Sequence, residues 1–252
     1  MGAVQGIAEF LPISSSSHLI LLPWLFHWED PGLTFDVALH LGTLAAVALY
    51  FFGDWMSLIK GACRNPRSED GRMLALLAAA TVPGGLAGLL LEKYAESAFR
   101  APPLMAANLI GFGLLMEWAA RSGAKNRSME SLQTPQALKI GTGQALAIIP
   151  GVSRSGITIT VGLWEGLTAE AAARFSFLLS MPITFGAAAH KLRHLNRAAL
   201  DAPFLTGVAV SALTGMVAIH FLLRYFRHSG TLVFTVYRVI LGTAIIALYY
   251  LR

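Results

Sequence analysis

The sequence predicts an all-α polytopic membrane protein forming a single membrane domain over residues 1–252, and three observations carry that prediction. The first is composition. Of 252 residues, 55% are hydrophobic and 13% are charged, with a mean hydropathy of +0.60; soluble domains carry about 25% charged residues. A soluble surface of this size cannot be covered by so few charges. The second is the length of the apolar runs: residues 73–91 are 19 without a charge and residues 202–223 are 22, where a spanning helix needs about 20. The third is that two further apolar regions, residues 2–26 and 140–164, are each interrupted midway by proline and serine (Pro12-Ile-Ser-Ser-Ser-Ser and Pro150-Gly-Val-Ser-Arg-Ser). A disulfide scaffold is excluded, because Cys63 is the only cysteine. The net charge of +5 comes without an aromatic-interleaved basic face, so no nucleic-acid partner is expected.

Taken in order, residues 2–26 are apolar but broken at Pro12, leaving each half too short to span. Spans are expected at residues 34–52, 73–91 and 101–116. A polar, charged linker at 121–133 follows. Residues 140–164 are broken at Pro150, and spans are expected again at 175–189, 202–223 and 237–251. That makes six spans. Non-helical backbone at membrane depth is tolerated only inside protein or along a watery cavity, so both broken regions read as re-entrant helix pairs. The first residues show no basic stretch and no small-residue cleavage site and are not read as a signal peptide.

The chain also repeats itself. Glu9-Phe-Leu-Pro12-Ile-Ser-Ser15 aligns with Ala147-Ile-Ile-Pro150-Gly-Val-Ser153 at an offset of 138, and the segments starting at Phe35 and Phe175 align at 140. The small-residue spans 81–91 and 211–221 follow at 130. Each half, about 1–125 and 134–252, then holds one re-entrant pair and three spans. Three is odd, so the halves are expected in inverted topology, with a site near the midplane where broken helices meet. Loop charges orient the protein: Lys60, Arg64, Arg67, Arg72, Arg121, Lys125, Arg127, Lys139, Arg224 and Arg227 on one side, against Lys93, Arg100, Lys191, Arg193, Arg197 and Arg252 on the other. The richer side is expected to be cytoplasmic.

Chemistry concentrates at the two breaks. Gln5 and Glu9 are four apart and share a helix face, and a carboxylate inside an apolar segment marks a functional site or a wet, arginine-paired helix end. The serines after Pro12 can cap the next helix. Ser15 and His18 are three apart, within reach for a base to activate a hydroxyl. At the second break Gly151 permits a sharp turn, and Ser153 can cap a helix whose Arg154, Ser155 and Gly156 amides form an anion site. Arg154 adds a planar donor fork suited to phosphate, and Ser155 and Thr158 offer hydroxyls. Asp36 and His40 share a face of the next span, Arg174 is expected to anchor a helix start after Glu170, Gly84, Gly85, Gly88, Gly207 and Gly215 to permit close helix packing, and Trp24, Trp28, Trp55 and Trp118 to sit at the interfaces.

These segments resemble a known family. Gln5-x-x-x-Glu9 followed by Ser14-Ser15-x-x-His18 looks like the (Glu/Gln)-x-x-x-Glu and Ser-Ser-x-x-His elements of the undecaprenyl-diphosphate phosphatases, the bacitracin-resistance family. Pro150-Gly-Val-Ser153-Arg154-Ser155-Gly156-Ile-Thr158 resembles its Pro-Gly-x-Ser-Arg-Ser-x-x-Thr motif, and the likeness extends along nearly the whole chain, including Phe35-Asp-Val-Ala-Leu-His-Leu-Gly-Thr43. The resemblance implies six spans plus two re-entrant pairs in inverted repeat. It implies a multi-pass enzyme of the bacterial cytoplasmic membrane that hydrolyses undecaprenyl diphosphate to undecaprenyl phosphate and phosphate, recycling the lipid carrier of peptidoglycan synthesis. The active site is then expected to face the extracytoplasmic side, where the diphosphate carrier is released.

By the same resemblance Glu9, Ser15, His18 and Arg154 are catalytic, and Gln5 and Glu9 hold a divalent cation, Mg²⁺ or else Ca²⁺. Ser14, Ser153, Arg154, Ser155, Gly156 and Thr158 bind the diphosphate. Serine, histidine and water all remain open as the attacking group. The expected partners are the lipid substrate and the bilayer, with a homodimer left open. The chain departs from the family in having only four residues before Gln5 and in Ser17, where relatives often have glycine and where serine is expected to stiffen the turn. Two rival readings use the same architecture or residues. A lipid-carrier flippase or ion-coupled transporter shares the inverted repeat but needs no nucleophile and base. An intramembrane serine protease has no use for an arginine-containing anion loop.

Overall fold

The computed structural model describes residues 1–29, 32–96, 101–192 and 201–251, with the side chains of residues 32–34, 92, 93, 95, 96, 191 and 192 left aside. Helices dominate: α1 (Gly2–Phe10), α2 (Ser15–Phe26), α3 (Gly32–Tyr50), α4 (Phe52–Arg64), α5 (Glu69–Glu96), α6 (Pro102–Arg121), α7 (Thr134–Ala145), α8 (Arg154–Trp164), α9 (Ala169–Leu192), α10 (Ala202–Phe226) and α11 (Leu232–Leu251). Among the described residues the only β pairing is an isolated bridge between Arg127 and Leu167. Five helices, α5, α6, α9, α10 and α11, are long and apolar enough to cross a membrane. The bent pair α3 and α4 supplies a sixth when taken as one span. The chain is therefore an all-α polytopic membrane protein.

The α3–α4 bend was not legible in the sequence. The two helices meet at 68°, and α4 carries its apolar residues to one side, with Leu58 buried. Arg174 of α9 holds this corner: its guanidinium lies 5.6 Å from the Phe51 ring centroid and pairs with Asp54. Arg174 therefore braces α4, and it is Arg227 that pairs with Glu170, at 2.8 Å.

Polar contacts gather several loops at one end of the bundle. Arg72 donates to the Glu130 carbonyl, Arg127 to that of Glu165, Lys139 to the Glu165 carboxylate, and Thr231 to Glu117. With the Arg227–Glu170 pair, this end contains the starts of α7, α9 and α11 and the ends of α6, α8 and α10. The end of α3 lies here too, through Arg174 and Asp54. α2 therefore ends toward the opposite side, whereas α7 and α8 enter and leave at this one. Of the cations expected on that opposite side, Lys93, Arg100, Lys191, Arg193, Arg197 and Arg252 have side chains outside the described residues.

Close helix packing depends on glycines at backbone contacts. A Cβ on Gly6 of α1 would lie 2.0 Å from Thr214 Oγ1 and 2.5 Å from the Ser211 carbonyl of α10, and one on Gly141 of α7 would lie 2.2 Å from the Ala80 carbonyl of α5. Without a driving force to expel apolar surface from lipid, such small-residue contacts are what brings helices together. Of the expected packing glycines, Gly84, Gly207 and Gly215 meet neighbours, whereas Gly85 has only a 3.8 Å contact and Gly88 faces open space. Trp28 and Trp118 are exposed as expected of interfacial anchors, but the Trp55 indole nitrogen is buried without a hydrogen-bond partner.

Candidate active site

Both broken regions end in the same local device. Ser14 and Ser153 are the residues immediately before α2 and α8, and both take a left-handed backbone, φ +71 and +72. A side chain in this region costs about 1–3 kcal/mol and persists only where the surroundings hold it. The matching pair is Ser14 with Ser153, an offset of 139 rather than the ungapped 138, because the second break contains one more residue after its proline. Ser15 thus occupies the position of Arg154, the first residue of its helix.

The breaks are bonded to each other. Gly151 N–H donates to Ser14 Oγ at 3.3 Å and Ser155 Oγ to the Leu11 carbonyl at 3.2 Å. Ser153 Oγ caps α8 by accepting from Gly156 N–H at 3.1 Å, as its position before the helix predicts. Behind both breaks lies Arg238 of α11, fully buried and bonded to the carbonyls of Pro12, Gly151 and Val152, and to those of Asn108 and Leu109 on α6. Asn108 itself donates to the Pro150 carbonyl at 3.0 Å.

In front of the breaks, Glu9 collects three donors. Arg154 Nη2 lies 2.7 Å from Oε1, while Ser15 Oγ donates to Oε2 at 2.6 Å and Gln5 Nε2 to the same oxygen at 3.1 Å. The glutamate and arginine side chains are only 10% and 14% exposed, so the pair is shielded from water and each charge depends on the other. The two come from segments 145 residues apart and meet because the end of α1 lies against the start of α8. Thr43 of α3 and Ser180 and Thr184 of α9 lie beside them. The last two, with Ser176, form a hydroxyl stripe at intervals of four on one face of α9.

The other expected site residues occupy different surroundings. His18 does not bond Ser15. Its Nδ1 donates to the Ser14 carbonyl at 2.7 Å, and since a carbonyl can only accept, the proton is on that nitrogen in the neutral ring. Nε2 then accepts from Tyr237 O–H at 2.6 Å. The geometry thus ties Ser15 to a carboxylate and His18 to a phenol. Thr158 Oγ1 donates within its own helix to the Arg154 carbonyl at 2.8 Å and lies 2.7 Å from Ser176 Oγ, so it braces Arg154 from behind. Ser17 is buried against Ser14. Asp36 and His40 are joined through the Asp36 carbonyl, which His40 Nδ1 contacts at 2.7 Å.

This arrangement can hold an anion beside a hydroxyl bonded to a carboxylate. Residues 1–244 match the family described as bacitracin resistance protein BacA. The chain belongs to this family. Relatives named undecaprenyl-diphosphatase include one from Moorella thermoacetica, 52% identical over 100% of this chain and 97% of its own. Another, from Pelotomaculum thermopropionicum, is 48% identical over 98% and 94%, and one from Desulforudis audaxviator is 46% identical over 100% and 97%.

The residues missing from the sequence reading are those that bind backbone or hold another side chain: Asn108, Ser176, Tyr237 and Arg238. One signal was available. Arg238 is a charge inside an apolar span, which by itself marks a functional position.

Proposed function

We propose that this chain hydrolyses undecaprenyl diphosphate to undecaprenyl phosphate and inorganic phosphate through the Glu9, Ser15 and Arg154 cluster. The observation that carries the reading is the 2.6 Å bond from Ser15 Oγ to Glu9 Oε2, with Arg154 on the other carboxylate oxygen. Family membership and the printed names of the relatives support the substrate. Ser15 passes its proton to Glu9 as Oγ attacks the terminal phosphorus. The bond to the bridging oxygen breaks, and undecaprenyl phosphate leaves with that oxygen and the electron pair. Water then attacks the phosphoserine, the phosphorus–Oγ bond breaks, and Glu9 returns its proton to the leaving Ser15 Oγ, so that phosphate is released and both side chains are restored. His18, freed from its bond to Tyr237, accepts the proton of that water. Arg154 and the first amides of α2 and α8 balance the charge spread over the phosphoryl oxygens, which is where most phosphoryl-transfer catalysis originates. A carrier would need the anion loop but neither Ser15 nor a carboxylate bonded to it.

A divalent cation fits this donor set when it arrives with substrate. Among the described residues no group of three histidine, cysteine or carboxylate ligands exists. Glu9 offers a carboxylate, and Gln5 Oε1 is buried with no hydrogen-bond partner, so two hard oxygens are available. Magnesium is commonly held by one or two protein oxygens together with substrate phosphates. Gln5 and Glu9 would hold it, and it would supply neutralisation of diphosphate charge.

The halves 1–125 and 134–252 are read as an inverted repeat, supported by the matching Ser14 and Ser153 turns and by re-entrant pairs directed to opposite ends. With the cation-rich end cytoplasmic, the protein belongs in the bacterial cytoplasmic membrane with its site open to the outer side. Phosphate release from undecaprenyl diphosphate by the purified protein tests the activity, and no release above a protein-free control contradicts it. For orientation, Ser16→Cys in a Cys63→Ser background is expected to react with an impermeant thiol reagent on intact spheroplasts. Ser17→Cys is expected to stay silent, since Ser17 is fully buried. Reaction of Ser16→Cys only after exposure of the cytoplasmic face would reverse the orientation.

A further inference from the structure

Among the described residues Arg238 is the largest fully buried side chain. Each of its nitrogens is bonded: Nε to the Leu109 carbonyl at 3.0 Å, Nη1 to that of Pro12 at 3.3 Å, and Nη2 to those of Gly151 at 2.8 Å, Val152 at 3.1 Å and Asn108 at 3.4 Å. All five acceptors are neutral, and among the described ion pairs none involves Arg238. A buried guanidinium with no carboxylate is costly. The chain nevertheless makes room for it: a Cβ on Gly156 would lie 2.8 Å from Nη1, and one on Gly113 3.2 Å from the Arg238 Cβ.

We infer that Arg238 is a positioning residue that fuses the two helix breaks into one anion site and adds positive charge behind it. Arg154 cannot supply that charge alone, since Glu9 neutralises it at 2.7 Å. Arg238 acts through the backbone. No peptide among the described residues is cis, and in a planar trans peptide the carbonyl and the N–H point in opposite directions. With the Val152 carbonyl held by Arg238, the N–H of Ser153 faces away from the arginine, at the start of α8 beside the free amides of Arg154 and Ser155. The same guanidinium fixes Pro12 of the first break, so the starts of α2 and α8 keep one relative position, and the left-handed turns at Ser14 and Ser153 are held against their strain. Lysine keeps the charge but not the task, because a single ammonium cannot span carbonyls from three segments in a planar fork.

The kinetic arm rests on the phosphatase reading, and the exchange arm does not. In purified protein reconstituted in nanodiscs, Arg238→Lys is expected to lose about 100-fold in kcat, the scale for loss of one preorganised donor set, with KM little changed. Amide exchange is expected to speed up about tenfold or more at residues 11–17 and 149–156 together, as local opening becomes easier. In Arg238→Gly, millimolar guanidinium is expected to restore part of the turnover and ammonium none. Wild-type turnover in Arg238→Lys overturns the inference, as does lost turnover with both breaks still protected. If the lysine variant does not fold, Gly156→Ala decides, since its methyl displaces the guanidinium: both breaks are expected to exchange faster, and unchanged exchange refutes the clamp. A wild-type protein inactive on undecaprenyl diphosphate removes the phosphatase reading and leaves the exchange result to judge Arg238.

Discussion

Arg154→Ala is expected to lose at least about 10³-fold in kcat/KM on undecaprenyl diphosphate, toward the upper end of what removal of one oxyanion-type donor costs. Two effects compound. The diphosphate loses a five-donor cation at the start of α8, and Glu9 loses the partner that keeps it correctly placed for Ser15. The second effect has its own signature. Breaking a buried ion pair by deleting one partner typically costs about 3–5 kcal/mol, because the remaining charge is left uncompensated, and here both side chains are largely buried. The single variant should therefore melt at a lower temperature than wild type. Adding Glu9→Gln to it should restore much of that stability and none of the activity. Thermal unfolding alongside phosphate release checks both statements, and a double variant that regained turnover would show that Arg154 serves only to offset Glu9.

Glu9→Gln alone is expected to lower kcat by about 10²–10⁴-fold, the range for a removed general base, without raising KM. The amide keeps the size and the Arg154 contact but cannot take the proton that Ser15 now directs at Oε2 across 2.6 Å. With its counter-charge gone, Arg154 is free for the anion, so binding should hold or tighten while chemistry fails. Steady-state kinetics over a substrate range separate the two. A raised KM with unchanged kcat would reduce Glu9 to a binding group.

The legible part of this protein was whatever broke a pattern along the chain. Proline and serine interrupting residues 2–26 and 140–164 marked the breaks between α1 and α2 and between α7 and α8, and Glu9 and Arg154 stood out as charges in apolar surroundings. Their pairing did not stand out, because no local spacing relates residues 145 apart; only the meeting of α1 and α8 creates it. Helical spacing correctly put Ser15 and His18 a turn apart but could not say which acceptor each would choose. The Ser14 carbonyl and Tyr237 claim His18, and Glu9 claims Ser15. The Thr158 hydroxyl could not be placed from spacing either, because a threonine in a helix interior can satisfy its hydroxyl on the preceding turn, which Thr158 does on Arg154. The bend at Phe51 had no proline to announce it. Arg238 was within reach as a charge in an apolar span, yet its partners are backbone carbonyls, which a sequence does not distinguish.

On the mechanism proposed, Ser15 Oγ, activated by Glu9, receives the phosphoryl group. The most direct test is to quench the purified enzyme within one turnover of undecaprenyl diphosphate labelled at its terminal phosphate and to locate the label by peptide mapping. Acid-stable phosphoserine is expected at Ser15, formed and lost at rates consistent with turnover, and absent in Ser15→Ala, which should be inactive. Label on His18, or full turnover by Ser15→Ala with no labelled protein, would contradict it.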